Sequence, residues 1–435
     1  YSQRDICCHT GGSLAFGKDR TLFISTGDNS TPFDEPNQKY VSNGFSPRDS
    51  REGHEQYDVQ RSSGNTNDLR GKILRINIKE DGSYDIPKGN LFAVGTKNTK
   101  PEIYVMGNRN PYRISIDKKN GFLYWGEVGP DASNDSTGRG PRGYDEVNQA
   151  RKAGFFGWPY FVGNNYSYIS YNYETGESGS AYDPKKPIND SRNNTGLKEL
   201  PEAMPAFIWY PYGESVDFPQ VGSGGRNAMT GPIYYTDLFP KETRYPDYYD
   251  GKLIIYDWIR GWIKAVTMLP NGDFDKMEPF MGGTKFNNPI DMEVGPDGKL
   301  YVLEYGSGWF SKNPDAAISR IDFDPNSGSA AGSKTGEQAN GTVGPIGHQQ
   351  GDMPKGQSLI EASDCKSCHA LDKKSVGPSY KQVAEHYKDN KDAQSILMNK
   401  IKNGGSGVWG EVAMAAHPNI KDEDLSEMVS WILSH

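Results

Sequence analysis

No stretch of about 18 consecutive apolar residues occurs in this 435-residue chain, so no segment of it is expected to cross a membrane as a helix. Long basic runs are also missing. Lys and Arg number 48 against 56 Asp and Glu, a net charge of −8, which argues against nucleic acid as the main partner. Apolar residues make up only 34% of the chain while glycine reaches 51, a balance that suggests a loop-rich β body rather than a helical one. Helical spacing between strand-like runs is almost absent before residue 324, which disfavours a parallel α/β fold. Cysteine is scarce, with four residues in two close pairs, Cys7-Cys8 and Cys365/Cys368. No signal peptide is visible, and the chain begins at Tyr1 rather than Met, so upstream sequence is expected.

What is present is repetition. The segments beginning at Phe16-Gly17-Lys18-Asp19, Ile116-Asp117-Lys118-Lys119-Asn120-Gly121, Tyr249-Asp250-Gly251-Lys252 and Gly295-Pro296-Asp297-Gly298 each place a turn of Asp, Asn or Gly before a short β-branched or aromatic strand. Such turns supply the positive φ angles that hairpins need. A second recurring strand reads Lys72-Ile73-Leu74-Arg75-Ile76, Ile263-Lys264-Ala265-Val266 and Ile318-Ser319-Arg320-Ile321. Repeated units of this kind predict a β-propeller over residues 1–324. Two long insertions interrupt it, residues 31–63 and 155–182. The second holds Trp158, Tyr160, Tyr166, Tyr168, Tyr171 and Tyr173. These rings form either a sugar-stacking platform or aromatic packing among the loops. The asparagine sequons at Asn29 and Asn165 read as ordinary polar loops. Residues 325–350, rich in Gly, Ser, Ala, Gln and Pro, read as a flexible linker with a span of roughly 30 Å.

Beyond the linker stands Cys365-Lys366-Ser367-Cys368-His369, the C-x-x-C-H attachment signature of a c-type haem. Two thiols at this spacing reach both vinyl groups of one porphyrin, and the adjacent histidine is placed to ligate iron. The alternative is a zinc or redox cysteine pair. A sixth ligand is expected from Met414, which would raise the reduction potential. Val376-Gly377-Pro378, Trp409-Gly410 with Met414, and a predicted helix over residues 423–433 complete the pattern. Residues 351–435 resemble a small all-α class I bacterial cytochrome c. The resemblance implies covalent haem c on Cys365 and Cys368, with His369 and Met414 as axial ligands. It also implies attachment outside the bacterial cytoplasmic membrane, a periplasmic or extracellular setting that permits disulfides.

The body carries its own constellation. His9-Thr10-Gly11-Gly12-Ser13 with Ser25-Thr26-Gly27-Asp28, Met106-Gly107-Asn108-Arg109-Asn110-Pro111, Glu127-Val128-Gly129-Pro130-Asp131, Tyr144-Asp145-Glu146-Val147-Asn148 and Gly154-Phe155-Phe156-Gly157-Trp158-Pro159 occur in that order. Together they resemble the soluble quinoprotein glucose/sorbosone dehydrogenase family, a six-bladed β-propeller that uses pyrroloquinoline quinone (PQQ) and calcium. The resemblance implies His9 as general base, chemistry that suits an imidazole near neutrality. It implies Arg109 as the group stabilising charge on the quinone, with Asn110 beside it. It implies carbonyls of Gly129 and Pro130 as calcium ligands, with Asp145 and Glu146 at the same or a neighbouring ion site. The family cations that hold PQQ are replaced here, with Ile259, Asn288 and Ile290 at or near their positions, so Arg260 or Arg226 is expected to substitute. His9 stands near the start of the chain rather than a third of the way into the domain, so about two N-terminal blades are expected upstream or on another chain.

The resulting expectation is an oxidoreductase that oxidises a sugar or related alcohol and passes electrons to its own haem, then to an acceptor such as another cytochrome. The rival readings are a redox-inactive, glycan-binding propeller with an electron-transfer cytochrome, and a calcium-dependent propeller hydrolase or lactonase. Cys7 and Cys8 directly precede His9. They are expected either to close a strained vicinal disulfide on the floor of the site, or to remain thiols or bridge to an upstream segment.

Overall fold

The computed structural model describes residues 9–18, 20–308, 312–324, 354–361, 363, 365, 369–374, 377–405, 407–410, 414, 417 and 420–435. Cys7, Cys8, Cys368 and the linker over 325–350 lie outside the described residues.

The body is a succession of antiparallel sheets. In chain order the strands are β1 (Gly11–Phe16), β2 (Thr21–Thr26), β3 (Lys72–Ile78), β4 (Tyr84–Asp85), β5 (Ile103–Met106), β6 (Pro111–Ile116), β7 (Leu123–Glu127), β8 (Asp145–Ala150) and β9 (Gly154–Phe155). They continue as β10 (Phe161–Val162), β11 (Tyr166–Ser167), β12 (Ile169–Tyr171), β13 (Ser178–Ala181), β14 (Ile208–Tyr210), β15 (Ala228–Tyr234) and β16 (Lys252–Asp257). The last five are β17 (Ile263–Met268), β18 (Phe274–Phe280), β19 (Pro289–Val294), β20 (Leu300–Glu304) and β21 (Ala317–Ile321). Four sheets result: β1-β2-β3-β5-β9 with β4 on β3, then β6-β7-β8-β14, then β15-β16-β17-β18, then β19-β20-β21. Two small hairpins, β10-β11 and β12-β13, stand apart.

The turns that mark the repeats work as their residue types require. The Asp117 carboxylate accepts the Lys119 and Asn120 N–H groups, and Gly121 takes φ +78° to start β7. Asp257 repeats the device with Ile259 and Arg260, ending on Gly261 at φ +65° before β17. A short acidic side chain closes the loop on its own backbone, and glycine supplies the left-handed residue.

The first strand of each sheet faces the next sheet's first strand: β1 lies against β6, β6 against β15, and β15 against β19. Between them is a polar cavity of about 200 Å³ lined from all four, by Ser13, Arg113, Thr230 and Asp291 among others. Sheets set around a common channel by their innermost strands are the β-propeller-like arrangement expected from the repeats. The described residues contain four such sheets. Apolar faces of neighbouring sheets close on each other, as in the cluster of Tyr124, Val147, Ile208, Tyr210, Leu253, Ile255 and Val266.

The long insertions interlock. The Ser46 hydroxyl donates to the Pro159 carbonyl at 2.6 Å, and the Arg48 guanidinium lies over the rings of Tyr168 and Tyr182. Trp158, Tyr160, Tyr168 and Tyr173 are buried. For these four rings the structure favours packing over an exposed stacking platform.

All α-helices among the described residues lie near the C-terminus: α1 (Lys355–Glu361), α2 (Tyr380–Tyr387), α3 (Ala393–Asn403) and α4 (Asp422–Leu433). Leu425, Met428, Val429 and Ile432 form one apolar stripe of α4, buried against Ile360, Tyr380 and Leu397. A Cβ at Gly356 would meet the Glu427 carbonyl at 2.1 Å, so the crossing of α1 and α4 requires glycine. Ser379 and Gln382 form a reciprocal capping box at the start of α2.

Candidate functional site: a histidine–aspartate dyad and a haem cradle

His9 immediately precedes β1, and Asp28 follows the end of β2, so the first hairpin brings them together. A Cβ at Gly27 would fall 2.1 Å from the His9 carbonyl, and only glycine permits that approach. The His9 Nδ1–H donates to Asp28 Oδ1 at 2.8 Å, which leaves Nε2 as the proton acceptor. The same oxygen accepts the N–H and the hydroxyl of Ser30, each at 2.9 Å. The other oxygen, Oδ2, accepts the Trp158 indole N–H at 3.0 Å. Burial and the positive charge of Arg109 lower the pKa of His9, against the raising effect of Asp28, so its imidazole is neutral at neutral pH. Burial works to raise Asp28, but His9, Arg109 and the Ser30 N–H outweigh it, and its carboxyl lies below the usual range.

Arg109 stands beside this dyad. Its backbone carbonyl accepts the Asp28 N–H at 2.8 Å, and its Nη1 donates to the Val128 carbonyl at 2.9 Å. Asp131 faces its guanidinium at 3.7 Å. His9, Arg109, Pro130 and Asp131 share a small pocket with Phe33, Ser42 and Phe45. The Asn110 side chain accepts the Gly11 N–H at 2.9 Å, tying the arginine segment to the start of β1. The structure therefore brings His9, Arg109 and Pro130 to one pocket, with Gly129 beside Arg109 and Pro130 at the neighbouring one and Asn110 next to Arg109 in sequence.

Asp145 and Glu146 sit on β8 next to this region but face different partners. Asp145 forms an ion pair with Arg226, whose other amino group donates to the Pro130 carbonyl. Asp145 also accepts the Gly129 and Ala228 N–H groups. A divalent ion on Pro130 and Asp145 would share its ligands with a buried guanidinium, so this donor set, as arranged, does not fit calcium. The other side of the turn does. Glu146 pairs across the sheet with Glu127, and both line a second small cavity with Gly129 and Pro130. Burial, then the charge of Glu146, holds the Glu127 pKa well above the usual range. Burial raises Glu146 to about 7. The buried Asn148 Oδ1 has no hydrogen-bond partner, while its amide donates to Glu146 at 3.0 Å. Two uncompensated buried carboxylates beside an orphaned amide oxygen are the oxygen-rich set a hard cation takes.

The residues at the altered cation positions do other work. Ile259 and Ile290 pack against the core cluster around Tyr256 and Trp258, and the buried Asn288 amide donates to the Gly306 carbonyl. Arg260, expected at the cofactor, spends its guanidinium on the carbonyls of Pro211, Val221, Gly222, Gly224 and Gly225. All five N–H donors of an arginine are thereby engaged, and none is left for a cofactor carboxylate. Arg109 lines the His9 pocket, whereas the Arg226 side chain is 1% exposed and paired with Asp145.

The second centre is in the helical segment. Cys365 is buried in its apolar cluster, and Met414 packs against the same cluster. The His369 Nδ1–H donates to the Pro378 carbonyl at 2.7 Å, which fixes the ring and leaves Nε2 free for a metal. A Cβ at Gly377 would meet the His369 ring at 2.5 Å. Met414 is held by two backbone hydrogen bonds with Gly405, at 2.9 and 3.0 Å. The donor set, one imidazole and one thioether at an apolar cluster next to Cys365, fits haem iron.

Asp28 and Glu127 stand inside the quoted motifs without a role of their own, Trp158 reads in sequence only as a stacking or packing ring, and the Arg226–Asp145 pair is not foreseen there. The signal for Asp28 was its place just after β2, directly across the first hairpin from His9.

A β-propeller-like body with a buried histidine–aspartate dyad is followed by a helical domain whose donor set fits haem. Residues 2–197 match the family model "Glucose / Sorbosone dehydrogenase" and residues 353–435 match "Cytochrome c". The chain belongs to the cytochrome c family through that C-terminal domain, and the segment ahead of it is similar to the glucose/sorbosone dehydrogenase family. Its C-terminal segment is 45% identical over 78 residues to cytochrome c-552 of Hydrogenobacter thermophilus, covering 18% of this chain and 79% of that protein. It is 41% identical over 76 residues to cytochrome c-552 of Nitrosomonas europaea, covering 18% and 74%. The structure is also similar to the PQQ-bound aldose sugar dehydrogenase of Streptomyces coelicolor, with 17% identity and a TM-score of 0.39. That match covers 72% of this chain and 62% of the other, so the chain spans less than two thirds of that relative's length.

Proposed function

We propose that this chain oxidises a hydroxyl or hemiacetal of a sugar or related alcohol, with PQQ as hydride acceptor, and delivers the electrons singly to its own c haem. The observation that supports this reading is the neutral His9 with a free Nε2, held by Asp28 and facing the same pocket as Arg109. His9 Nε2 takes the hydroxyl proton as hydride leaves the carbon, and Asp28 stabilises the imidazolium that results. Arg109 orients the substrate region and opposes negative charge that develops there. When bound, PQQ would supply a two-electron acceptor, with Arg109 as the cation that meets it in the pocket. Calcium would be held by Glu146 and Glu127 and would neutralise their charge. Haem c would be held by Cys365, Cys368, His369 and Met414 and would supply a one-electron carrier, from which a downstream cytochrome in the bacterial periplasm or outside the cell would take electrons.

Cofactor extraction and metal analysis of purified protein, followed by sugar-dependent haem reduction over a sugar panel, test this reading. Reduction of the haem by a sugar in the quinone-loaded protein is expected. A protein that binds quinone and still shows no haem reduction with any sugar or polyol overturns it.

A further inference from the structure

The Asp28 carboxylate is completely buried and its two oxygens are unequally served. Oδ1 accepts three donors: His9 Nδ1–H, the Ser30 N–H and the Ser30 hydroxyl. Oδ2 accepts one, the Trp158 indole N–H, and no second donor to it is present among the described residues. A buried carboxylate oxygen without a donor is costly, and the group turns about its side-chain torsion to find one. Turning Asp28 would move Oδ1 away from His9.

Trp158 is built to prevent that turn. Its backbone N–H donates to the Gly107 carbonyl at 3.1 Å, tying it to the strand that leads to Arg109. The following carbonyl, on Pro159, accepts the Ser46 hydroxyl at 2.6 Å. The indole meets the Tyr168 ring edge-on, with centroids 6.3 Å apart, inside a buried cluster with Phe45, Val59 and Val162. A tryptophan pinned at its backbone and wedged at its ring presents its N–H at a fixed point.

We propose that Trp158 is a positioning residue for the His9 base: its indole N–H locks the Asp28 carboxylate, and the locked carboxylate holds His9 with the proton on Nδ1 and the lone pair of Nε2 toward the pocket. This rests on the reading of His9 as the base in sugar oxidation. It also gives a physical reason for the tryptophan of the Gly154-Phe155-Phe156-Gly157-Trp158-Pro159 motif, which lies 130 positions from Asp28 in sequence. Packing alone would call for an aromatic ring here, and only the hydrogen bond calls for an indole.

The test removes the N–H and keeps the shape. Trp158 is replaced in the full chain by 3-benzothienylalanine, in which sulfur stands for the indole N–H, and separately by phenylalanine (Trp158→Phe). Two readouts are taken on each. The first is steady-state sugar-dependent reduction of the haem. Both variants are expected to lose about tenfold or more in kcat with KM within about twofold, since a misplaced base affects the chemical step rather than ground-state binding. The second is independent of turnover: ¹⁵N NMR of the histidine side chains, with His9 assigned by its loss in His9→Gln. In the parent the His9 ring should show one protonated Nδ1 and one lone-pair Nε2. In the benzothienyl protein the two nitrogens should move toward averaged values while the haem spectrum stays unchanged. Unchanged kcat and unchanged His9 resonances in the benzothienyl protein overturn the proposal. If the parent reduces no haem with any sugar, the functional reading fails, and the NMR comparison still decides whether Trp158 controls His9. If only Trp158→Phe is impaired, the ring volume mattered and the proposal is wrong.

Discussion

Arg226 and Asp145 form an ion pair whose side chains are 1% and 0% exposed, with the Tyr212 ring 4.0 Å from the guanidinium carbon. Burial of Arg226 works against its charge, and Asp145 more than compensates. The pair bridges β8, the Gly129–Pro130 turn and the start of β15, so it fixes three segments that meet beside the candidate site. Removing one partner leaves the other charge buried and unpaired. Arg226→Ala is therefore expected to destabilise the body by about 3–5 kcal/mol. Adding Asp145→Ala to it should recover part of that loss. Urea unfolding followed by tryptophan fluorescence measures both, and a double variant no more stable than the single one would show that the pair is not the cause.

The pH dependence of sugar oxidation should follow His9. The base works only when neutral, so the rate falls as pH drops through its pKa. Burial and Arg109 place that pKa below the usual 6.5. The acid limb of kcat/KM is accordingly expected below pH 6.5. Arg109→Gln removes a positive charge and should move the limb to higher pH. Asp28→Asn removes the negative charge, which shifts the limb lower, and sets an NH2 donor against the N–H of either His9 or Trp158, which disturbs the tautomer, so kcat should fall by about 10²-fold or more. His9→Gln should remove the limb altogether while the haem spectrum is unaltered. A parent profile whose acid limb lies above pH 6.5 would remove His9 from the role of free-enzyme base.

Much of this was legible in the residues. The repeats at Asp117, Asp250 and Asp297 announced hairpins because a turn that needs a short acceptor and a positive φ has few solutions. The cytochrome c domain was legible for the same reason: haem attachment and ligation call for fixed residue types at fixed spacings. The partners of Asp145 were not. Nothing local marks Arg226 as its counter-ion, since the two lie 81 positions apart and meet only when the third sheet lies beside the second. Arg260 misled for a related reason: a guanidinium looks alike in sequence whether it faces a ligand or, as here, the carbonyls of a loop folded back on it. The tyrosines of residues 155–182 were ambiguous because aromatic composition does not say which rings the neighbouring insertion will cover.

The two buried glutamates make a metal prediction. Glu127 and Glu146 face each other across β7 and β8 with no basic side chain bonded to either. Protein purified without chelator should hold calcium, and Glu146→Gln should lose it by elemental analysis. The Gln variant keeps the side-chain shape and its oxygen can still accept the Gly163 N–H. Loss of metal without loss of fold is therefore the expected result, checked by circular dichroism. Retention of full calcium in Glu146→Gln would place the ion elsewhere.

The last prediction concerns the haem iron. The His369 ring is fixed from behind by the Pro378 carbonyl, so its orientation toward an iron would not depend on Met414. Met414 is fixed through its backbone pairing with Gly405, independently of any bond its sulfur makes. Met414→Ala should therefore leave the loop in place and remove only the sulfur. On the proposed attachment through Cys365 and Cys368, haem should stay on the chain in acidified organic solvent. The weak sulfur-to-iron band at the red edge of the oxidised spectrum should vanish, and the reduction potential should fall, since methionine ligation raises it. A lower potential weakens the haem as an electron acceptor, so sugar-dependent haem reduction should slow while direct reduction of an added dye by the body continues at the parent rate. A surviving red-edge band, or haem that extracts freely from the parent protein, would refute the assignment of His369 and Met414 as the axial pair of a covalent haem.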